Sequence, residues 1–423
     1  MVEVRAWIVR VASVVLMLSA GSCGGGSGIQ PSVPNVPSGT FTLTVGQANS
    51  VLTAAQRTAL GFQFGPPDGT LGVLLSNGTY SFYAAAQSSS SCSGTPSVQG
   101  SYRLGGSLSA ITAPYSCTAL IQPGGDPNGY TFDHDYAGGG PVLPVTSSTG
   151  LSGVLQIYHG EWQGGTCGSG PCFYASLGMA ISRDEGATFT KLGEIIQPYV
   201  TRNSQIGAGV SMDVGGGTLV LADANGEHIA NIATADPSTV YIYVFYADRD
   251  PTASTSPPCS RYSCLAVARA SLSSVLTAAF AGNTAAFPTL FVKYYQGGWT
   301  QPGTSSDPNA AANSGHYTPI IATVGSFPSV IYDSVTQQYL MTYTTGNNAV
   351  AMQHGSNLLS WSGPIASGAI TDGANSILYT TLVGEGSDPT TSSGHPWLFY
   401  IDATAWPNWA TATLVNRQLQ LSL

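Results

Sequence analysis

The sequence predicts an all-β protein, and three observations support this prediction. Only 8% of the 423 residues are charged, while the chain contains 52 glycines and 26 prolines. Short runs rich in β-branched and aromatic residues, such as residues 173–181 and 240–246, alternate with turns of Gly, Pro and Asn. The one helix-like segment covers roughly residues 271–280. Surface helices need many more Glu–Lys pairs than this composition supplies, so strands and turns must account for most of the chain.

The strand-like runs fall into about five groups, near residues 62–122, 130–200, 205–280, 318–370 and 375–423. Radial repetition of four-stranded sheets lets an all-β chain avoid long exposed sheet edges. A β-sandwich needs fewer residues, and two stacked sandwiches need a linker that the sequence does not contain. We therefore predict a single β-propeller domain over residues 61–423 with five blades, and six blades are the alternative.

The N-terminal residues are typical of an export signal. Arg5 and Arg10 accompany an apolar run over residues 8–18, which is too short to span a bilayer permanently. Small residues then lead to Cys23, and a signal that ends at a cysteine resembles that of a bacterial lipoprotein. This resemblance implies a signal peptide over residues 1–22, lipidation of Cys23, and a cell-envelope location in which the lipid alone contacts the membrane. An ordinary signal peptide that includes a cysteine is the alternative.

Residues 23–60 begin with a Gly- and Pro-rich stretch, which predicts a flexible tether. The net charge of −9 and the presence of only two lysines, Lys191 and Lys293, exclude a nucleic-acid partner. Binding to a phosphate backbone would need clustered Lys and Arg side chains instead.

The six remaining cysteines form three close pairs in sequence: Cys92 with Cys117, Cys167 with Cys172, and Cys259 with Cys264. In an oxidising compartment such pairs predict three disulfides. Zinc is the competing interpretation, but none of the pairs has the C-x-x-C form, and His159 is the only histidine near them in sequence. We therefore expect disulfides, and no metal, at these positions.

Residues 182–189, Ser-Arg-Asp-Glu-Gly-Ala-Thr-Phe, resemble the Asp-box hairpin of sialidases and other sugar-processing propellers. In such a hairpin Asp184 can accept backbone N–H groups, Gly186 can adopt a positive φ, and Phe189 packs inward. The motif is structural and belongs on the outer rim, so we assign it no catalytic role.

Three further segments, in chain order, resemble five-bladed glycoside hydrolases related to family 43. They are Asp236-Pro237 with residues 240–248, residues 265–270 with residues 291–299, and residues 379–417. This resemblance implies hydrolysis of glycosidic bonds by a base Asp, a tuning Asp and an acid Glu on inner strands of successive blades. The chain departs from the family pattern because no blade-opening Asp motif can be matched in its first blade.

Acidic residues beside strand-like or aromatic sequence are the candidates for these roles. We predict Glu161 as the acid, because the neighbouring Trp162 can desolvate it and raise its pKa. Asp135 is the predicted base and Asp236 the predicted tuning carboxylate. The alternative for each is structural: an exposed turn for Glu161, a loop cap for Asp135, and an Asp-Pro turn for Asp236. The predicted substrate-binding residues are His159, Trp162, His134 and Glu385.

The sequence therefore predicts an exported, lipid-anchored, glycoside hydrolase-like protein that acts on carbohydrate through paired carboxylates. The alternative is a non-catalytic surface propeller that binds a glycan or a protein partner through its open face. Catalysis requires that the carboxylates converge within about 10 Å in one central pocket, whereas binding does not. We expect no cofactor, and a structural calcium ion held by oxygen ligands at the propeller axis is a further alternative.

Overall fold

Twenty-four strands dominate the part of the chain that the structure describes, as the composition predicts. The computed structural model describes residues 40–89, 99–168, 170–232, 235–249, 259, 263–305, 315–321, 323–345, 349–365, 370–372, 375–404 and 408–423. These residues belong to one compact unit, Pro37–Leu423. The first described elements are the strands β1 (Thr42–Val45) and β2 (Asn49–Leu52) and the helix Ala54–Ala59.

The first two blades follow directly along the chain. The first consists of β3 (Phe62–Phe64), β4 (Gly72–Ser76), β5 (Thr79–Ser88), β6 (Gln99–Ser107) and β7 (Ala110–Pro114). The second consists of β8 (Tyr136–Thr146), β9 (Ser152–Cys167), β10 (Gly170–Ser182) and β11 (Thr190–Ile196), with β12 (Met212–Asp213) parallel to β10. A short helix, Arg202–Gly207, lies between β11 and β12 in sequence.

The third and fourth blades repeat the pattern. The third consists of β13 (Gly215–Ala222), β14 (Tyr241–Asp248), β15 (Cys264–Ser271), β16 (Val292–Tyr295) and β17 (Gly298–Pro302). Three helical segments separate β15 from β16: Leu272–Ala281, the 3₁₀ turn Thr284–Ala286, and Phe287–Leu290. The fourth blade consists of β18 (Ser326–Asp333), β19 (Gln338–Thr344) and β20 (Val350–Gly355), with β22 (Thr391–Ser392) parallel to β18.

The fifth blade joins the two ends of the described chain. Its C-terminal strands are β21 (Ser376–Val383), β23 (Trp397–Ala403) and β24 (Ala412–Ser422), and the 3₁₀ turn Trp409–Thr411 precedes β24. Both β1 and β2 pair antiparallel with β24 and so complete this sheet. The prediction of an all-β, five-bladed propeller is therefore confirmed, and six blades are excluded.

The domain boundary predicted at residue 61 lies too late in the chain. Residues 42–59 are not part of a tether, because they contain β1, β2 and the helix Ala54–Ala59. The apolar residues Val51 and Leu52 are 1% exposed and pack in the core of the fifth and first blades. The pairing partner of these strands lies at the far end of the sequence, so local composition does not reveal it.

The core lies between the blades, and β14 shows why its sequence is apolar on both faces. Val244 and Tyr246 pack in a cluster shared with the second blade. Tyr243 and Phe245, which point to the opposite face, pack in a cluster shared with the fourth blade. The predicted helix near residues 271–280 is also present, as Leu272–Ala281, and it ends at Gly282 with φ 68°.

Two of the three predicted disulfides are present, Cys167–Cys172 and Cys259–Cys264. Cys92 of the third predicted pair lies outside the described residues, and so do Cys23 and the signal segment. In the described part of the chain, no helix has both the length and the apolar character needed to cross a membrane.

Asp184 holds together the hairpin between β10 and β11. Its two carboxylate oxygens accept hydrogen bonds from the N–H group of Thr188 at 2.9 Å and from the Thr188 hydroxyl at 2.6 Å. Gly186 adopts φ 82°, and its carbonyl accepts a hydrogen bond from the Tyr83 hydroxyl at 3.2 Å. Phe189 packs edge-on against the ring of Tyr83. The hairpin thus ties the second blade to the first and has a structural role.

Candidate functional site

A cavity of about 190 Å³ lies where the five blades converge. Each blade contributes to its wall: Asp68 comes from the first, His159 and Glu161 from the second, Asp213 from the segment leading into the third, Phe327 from the fourth, and Tyr379 from the fifth. Typical ligand pockets hold roughly 300–1,000 Å³. The volume therefore suits one small ring better than several.

Irregularities in the inner strands shape this cavity. Strand pairing shifts register at four matching places: Gly139/Val142 in β8, Gly215/Thr218 in β13, Ser326/Ser329 in β18 and Leu378/Thr381 in β21. In the first blade, the segment that carries Asp68 separates β3 from β4. A bulge re-aims the side chains beside it, so these four blades direct residues beside the bulges towards the cavity.

His159 connects two carboxylates in the wall of the cavity. Its Nε2 atom lies 3.1 Å from Oε1 of Glu161, and its Nδ1 atom lies 3.9 Å from Oδ1 of Asp213. His159 and Glu161 are two residues apart on β9, so their side chains point to the same face of the sheet. One imidazole ring separates the two carboxylates, which keeps them within about 10 Å, the spacing that glycoside hydrolysis uses.

Asp68 is the third carboxylate of the cavity, and two tyrosines hold it. The Tyr379 hydroxyl donates to its Oδ1 atom at 2.8 Å, and the Tyr136 hydroxyl lies 3.1 Å from its Oδ2 atom. Tyr136 begins β8 and Tyr379 lies in β21, so neighbouring blades on both sides orient this side chain. Both tyrosines are buried. Burial raises their pKa values well above the ordinary value, so both remain hydrogen-bond donors.

The three carboxylates differ in their affinity for protons. Burial raises the pKa of Asp68 and outweighs the hydrogen bonds from Tyr379 and Tyr136. Burial likewise raises the pKa of Asp213, and the negative charge of Glu161 adds to this effect. The pKa of Glu161 itself is lowered: burial alone would raise it, but the hydrogen bond and positive charge of His159 and the hydrogen bond from Gln163 outweigh burial.

The expectation of a raised pKa at Glu161 is therefore wrong. Trp162 does not control this carboxylate; His159 does. Burial would lower the pKa of His159, but its hydrogen bond to Glu161 and the charges of Asp213 and Asp68 raise it to about 9. At neutral pH the site thus contains an imidazolium and an ionised Glu161.

Among the predicted site residues, the structure places Glu161 and His159 in the cavity wall. Asp135 and His134 lie next to it without lining it. The Oδ2 atom of Asp135 accepts a hydrogen bond from the N–H group of Gln163 at 2.6 Å, and its Oδ1 atom lies 2.8 Å from Nδ1 of His134. Asp135 therefore orders the strand that carries Glu161, and the His134 side chain is 61% exposed.

Asp236, Trp162 and Glu385 do not line the cavity. Asp236 lies on an exposed turn before β14, where hydrogen bonds from Ser238 lower its pKa. The guanidinium of Arg202 packs over the ring of Trp162, with its Cζ atom 4.6 Å from the ring centroid. Glu385 accepts a hydrogen bond from the N–H group of His395 at 2.6 Å and so orders the turn before β23.

Asp68 and Asp213 are the cavity carboxylates that sequence reasoning missed. Asp68 lies in Pro66-Pro67-Asp68-Gly69 and Asp213 in Met212-Asp213-Val214-Gly215, without aromatic neighbours in sequence. The available signal was an acidic residue next to glycines at the start of a blade. At Gly215 a Cβ atom would lie 2.5 Å from Oδ1 of Asp213, so this glycine makes room for the carboxylate.

No group of three or more His, Cys, Asp and Glu side chains among the described residues is arranged to hold a metal ion. The oxygen atoms around the cavity instead accept hydrogen bonds from Tyr, Gln and His side chains. A calcium ion at the axis accordingly stays a prediction.

Comparison with known proteins returns similarities of fold. No family model matches the chain, and no curated protein matches it. A glycosyl hydrolase from Bacteroides ovatus has a TM-score of 0.44 at 9% identity, covering 84% of this chain and 85% of that chain. A GH62 hydrolase in complex with xylotriose has a TM-score of 0.46 at 11% identity, covering 88% and 96%. A GH43 β-1,3-galactosidase has a TM-score of 0.44 at 9% identity, covering 84% and 94%.

Proposed function

We propose that the protein is an exported glycoside hydrolase that removes a single terminal sugar from a carbohydrate. The observation that carries this proposal is the convergence of Asp68, Glu161 and Asp213 on one cavity, where the pKa values of Asp68 and Asp213 are raised and that of Glu161 is lowered. Glycoside hydrolysis uses carboxyl groups in one pocket, one of them as the acid and another as the base or nucleophile.

Asp213 is the proposed general acid. Its side chain is 40% exposed, because it faces the open cavity. The Oδ1 atom is buried and has no hydrogen-bond partner among the described residues. Burial raises the pKa of Asp213, which favours its protonated form, and in that form it can protonate the oxygen of the leaving group.

Asp68 is the proposed base. The hydroxyls of Tyr136 and Tyr379 hold its two oxygens in place and offset part of the burial that raises its pKa. A carboxylate in this position can take the proton of an attacking water molecule. Overall, the elements of water are added across the glycosidic bond: the proton from Asp213 goes to the leaving oxygen, and hydroxide goes to the anomeric carbon.

Glu161 is the proposed tuning carboxylate. It stays ionised beside protonated His159, and its negative charge raises the pKa values of both Asp68 and Asp213. This assignment differs from the acid role that the sequence suggested for Glu161. It follows from the lowered pKa of Glu161 and from the contact with His159.

The shape of the cavity supports a single-sugar substrate. Its volume of about 190 Å³ is below that of typical ligand pockets. Phe173 and Phe327 supply apolar ring surface against which the C–H face of a sugar can pack. The described residues that line the cavity include no Lys or Arg, and the positive charge of His159 is paired with Glu161, so a neutral sugar suits the cavity better than an acidic one.

Export and lipid anchoring belong to the proposal. Two disulfides are typical of proteins in oxidising compartments. Lipidation of Cys23 predicts a mass increase on the N-terminal peptide and recovery of the protein in the membrane fraction. Cys23→Ala should release the protein into the soluble fraction, and equal fractionation of both forms would contradict anchoring.

The test of catalysis is a screen of 4-nitrophenyl glycosides with three variants, Asp68→Asn, Glu161→Gln and Asp213→Asn. Each should lower kcat/KM by about 10²- to 10⁴-fold. Asp213→Asn should retain far more activity on 2,4-dinitrophenyl glycosides, whose leaving group needs no proton, whereas Asp68→Asn should lose activity on both. Asp236→Asn and Glu385→Gln are matched controls outside the cavity and should stay within a few-fold of the wild type.

Two outcomes would overturn the proposal in different ways. Equal losses in the control variants would remove the catalytic role of the cavity. Binding of free sugars by the wild type without turnover of any glycoside would instead favour a non-catalytic, glycan-binding propeller.

A further inference from the structure

Two bulky residues in the cavity wall have a backbone conformation that such side chains rarely adopt. Among the described residues, seven non-glycine residues have positive φ, and five of them are polar: Asn77, Thr131, Glu185, Gln296 and Gln337. The other two are Phe327 (φ 52°) and Tyr379 (φ 57°), and both line the cavity. A bulky side chain in this region is a genuine outlier, and such strain concentrates at functional sites.

The strain at Phe327 results from the bulge in β18. The register of this strand shifts between Ser326 and Ser329, and Phe327 lies within the shifted segment. The Thr380 hydroxyl donates to the carbonyl oxygen of Phe327 at 2.9 Å. On the other side, a Cβ atom at Gly216 would lie 2.7 Å from the Cα atom of Phe327. The fifth and third blades therefore hold this backbone in place from both sides.

The strained backbone directs the ring of Phe327 into the cavity wall, next to the residue that holds Asp68. The ring centroids of Phe327 and Tyr379 are 4.6 Å apart in an edge-on arrangement. Tyr379 in turn donates to Oδ1 of Asp68 at 2.8 Å. Phe327 is thus one contact away from a proposed catalytic carboxylate, and it faces the cavity from the fourth blade, two blades away from Phe173.

We propose that Phe327 is a specificity-determining residue, whose ring limits the size of the sugar that enters the cavity. This inference rests on the proposed glycoside hydrolysis. A smaller, relaxed residue would satisfy the backbone at this position, since glycine adopts positive φ without steric cost. The phenyl ring at this strained position therefore points to a role in the cavity that a glycine cannot fill.

The test compares two substrates that differ by one hydroxymethyl group, 4-nitrophenyl β-D-xylopyranoside and 4-nitrophenyl β-D-glucopyranoside. The variant Phe327→Gly suits the positive φ and removes the ring. It should raise the hexoside-to-pentoside ratio of kcat/KM at least tenfold. In a tight pocket, a single small group such as this hydroxymethyl changes kcat/KM by roughly 10–200-fold. Calorimetric titration with free xylose and free glucose should show the same change in the ratio of affinities.

Gln337→Gly is the matched control. Gln337 (φ 54°) lies in the turn between β18 and β19, is exposed, and does not line the cavity. This variant relieves the same kind of strain in the same strand pair. Its hexoside-to-pentoside ratio of kcat/KM and its ratio of affinities for the free sugars should equal those of the wild type.

The ratio of kcat/KM values and the ratio of affinities together distinguish the role of Phe327 from the proposed glycoside hydrolysis. An unchanged ratio in Phe327→Gly, in a wild type that hydrolyses either glycoside, would overturn the role of Phe327 alone. If neither glycoside is hydrolysed, the affinity ratio decides the role of Phe327, and the screen of 4-nitrophenyl glycosides decides the glycoside-hydrolase proposal. If the wild type binds neither sugar and hydrolyses no glycoside of the screen, both proposals are overturned.

Discussion

The Nε2 atom of His159 lies 3.1 Å from the Oε1 atom of Glu161, and this contact determines the charge of both groups. The pKa of His159 is raised from its ordinary 6.5 to about 9 in the folded protein. The folded state therefore binds this proton more tightly than the unfolded state. The stabilising effect is fully present below pH 6.5 and is lost as the pH rises through 9.

Replacing His159 tests this link to stability. His159→Gln should lower the free energy of unfolding by up to about 3 kcal/mol more at pH 6 than at pH 10. Urea unfolding at the two pH values measures the difference. His134→Gln is the control, since the His134 side chain is 61% exposed and should cost little at either pH. An equal loss at both pH values for His159→Gln would contradict the prediction.

Glu194 is fully buried in the second blade, where its Oε2 atom accepts a hydrogen bond from the Thr304 hydroxyl at 3.2 Å. Burial raises its pKa from the ordinary 4.5 to about 8. The folded state thus holds a proton that the unfolded state releases above pH 4.5, so its contribution to stability falls as the pH rises from 4.5 to 8. When the pH is raised from 5 to 8.5, the free energy of unfolding of Glu194→Gln should increase by about 3–5 kcal/mol relative to that of the wild type.

Chemical denaturation at those two pH values provides the measurement. Glu185→Gln, on an exposed turn, is the control and should follow the wild type at both. Parallel pH profiles for Glu194→Gln and the wild type would show that Glu194 titrates near its ordinary value.

Gly186 adopts φ 82°, and a Cβ atom there would lie 1.9 Å from the hydroxyl oxygen of Tyr83. Gly186→Ala should therefore destabilise the protein by about 2–4 kcal/mol, because it combines a strained backbone with a steric clash. Adding Tyr83→Phe removes the clashing oxygen and should recover part of this loss. Thermal unfolding of the single and double variants measures the recovery. Complete insensitivity to Gly186→Ala would show that the two blades do not meet at this hairpin.

Arg417 connects three parts of the fifth blade. Its guanidinium forms an ion pair with Asp372, donates to the Tyr400 hydroxyl at 2.7 Å, and donates to the carbonyl oxygen of Gly46 at 3.0 Å. A lysine ammonium cannot reproduce this fork of donors. Arg417→Lys should therefore lower the free energy of unfolding by about 1–3 kcal/mol.

A double-mutant cycle that combines Arg417→Lys with Asp372→Asn should give a coupling energy of about 1–2 kcal/mol between Arg417 and Asp372. Additive losses would show that the two residues act independently and that the ion pair contributes nothing to closure of the blade.

The strands could be predicted because their pattern is local. The residues of β14 are apolar on both faces, and this reveals burial between two blades without knowledge of either neighbour. The strands β1 and β2 could not be predicted, because their partner β24 lies more than 350 residues away in sequence. Short polar strands of this kind differ little in composition from a linker.

The candidate site could be predicted only in part for a related reason. Glu161 and His159 lie two residues apart on one strand, so their shared face follows from strand geometry. Asp68 and Asp213 join them only when the blades close around the axis, and the glycines beside them are the one local signal of that approach. The direction of the Glu161 pKa shift depends on the contact with His159 and not on the neighbouring indole of Trp162.

The position of β24 between β1 and β23 has a consequence for biogenesis. The ring cannot close until all eleven residues of this strand, Ala412–Ser422, have left the ribosome. Until then the opening strands lack a partner, so the nascent chain stays incompletely folded throughout synthesis. Such a delay is compatible with the proposed export in an extended form, and it predicts that even a nonsense mutation within β24 prevents closure of the ring.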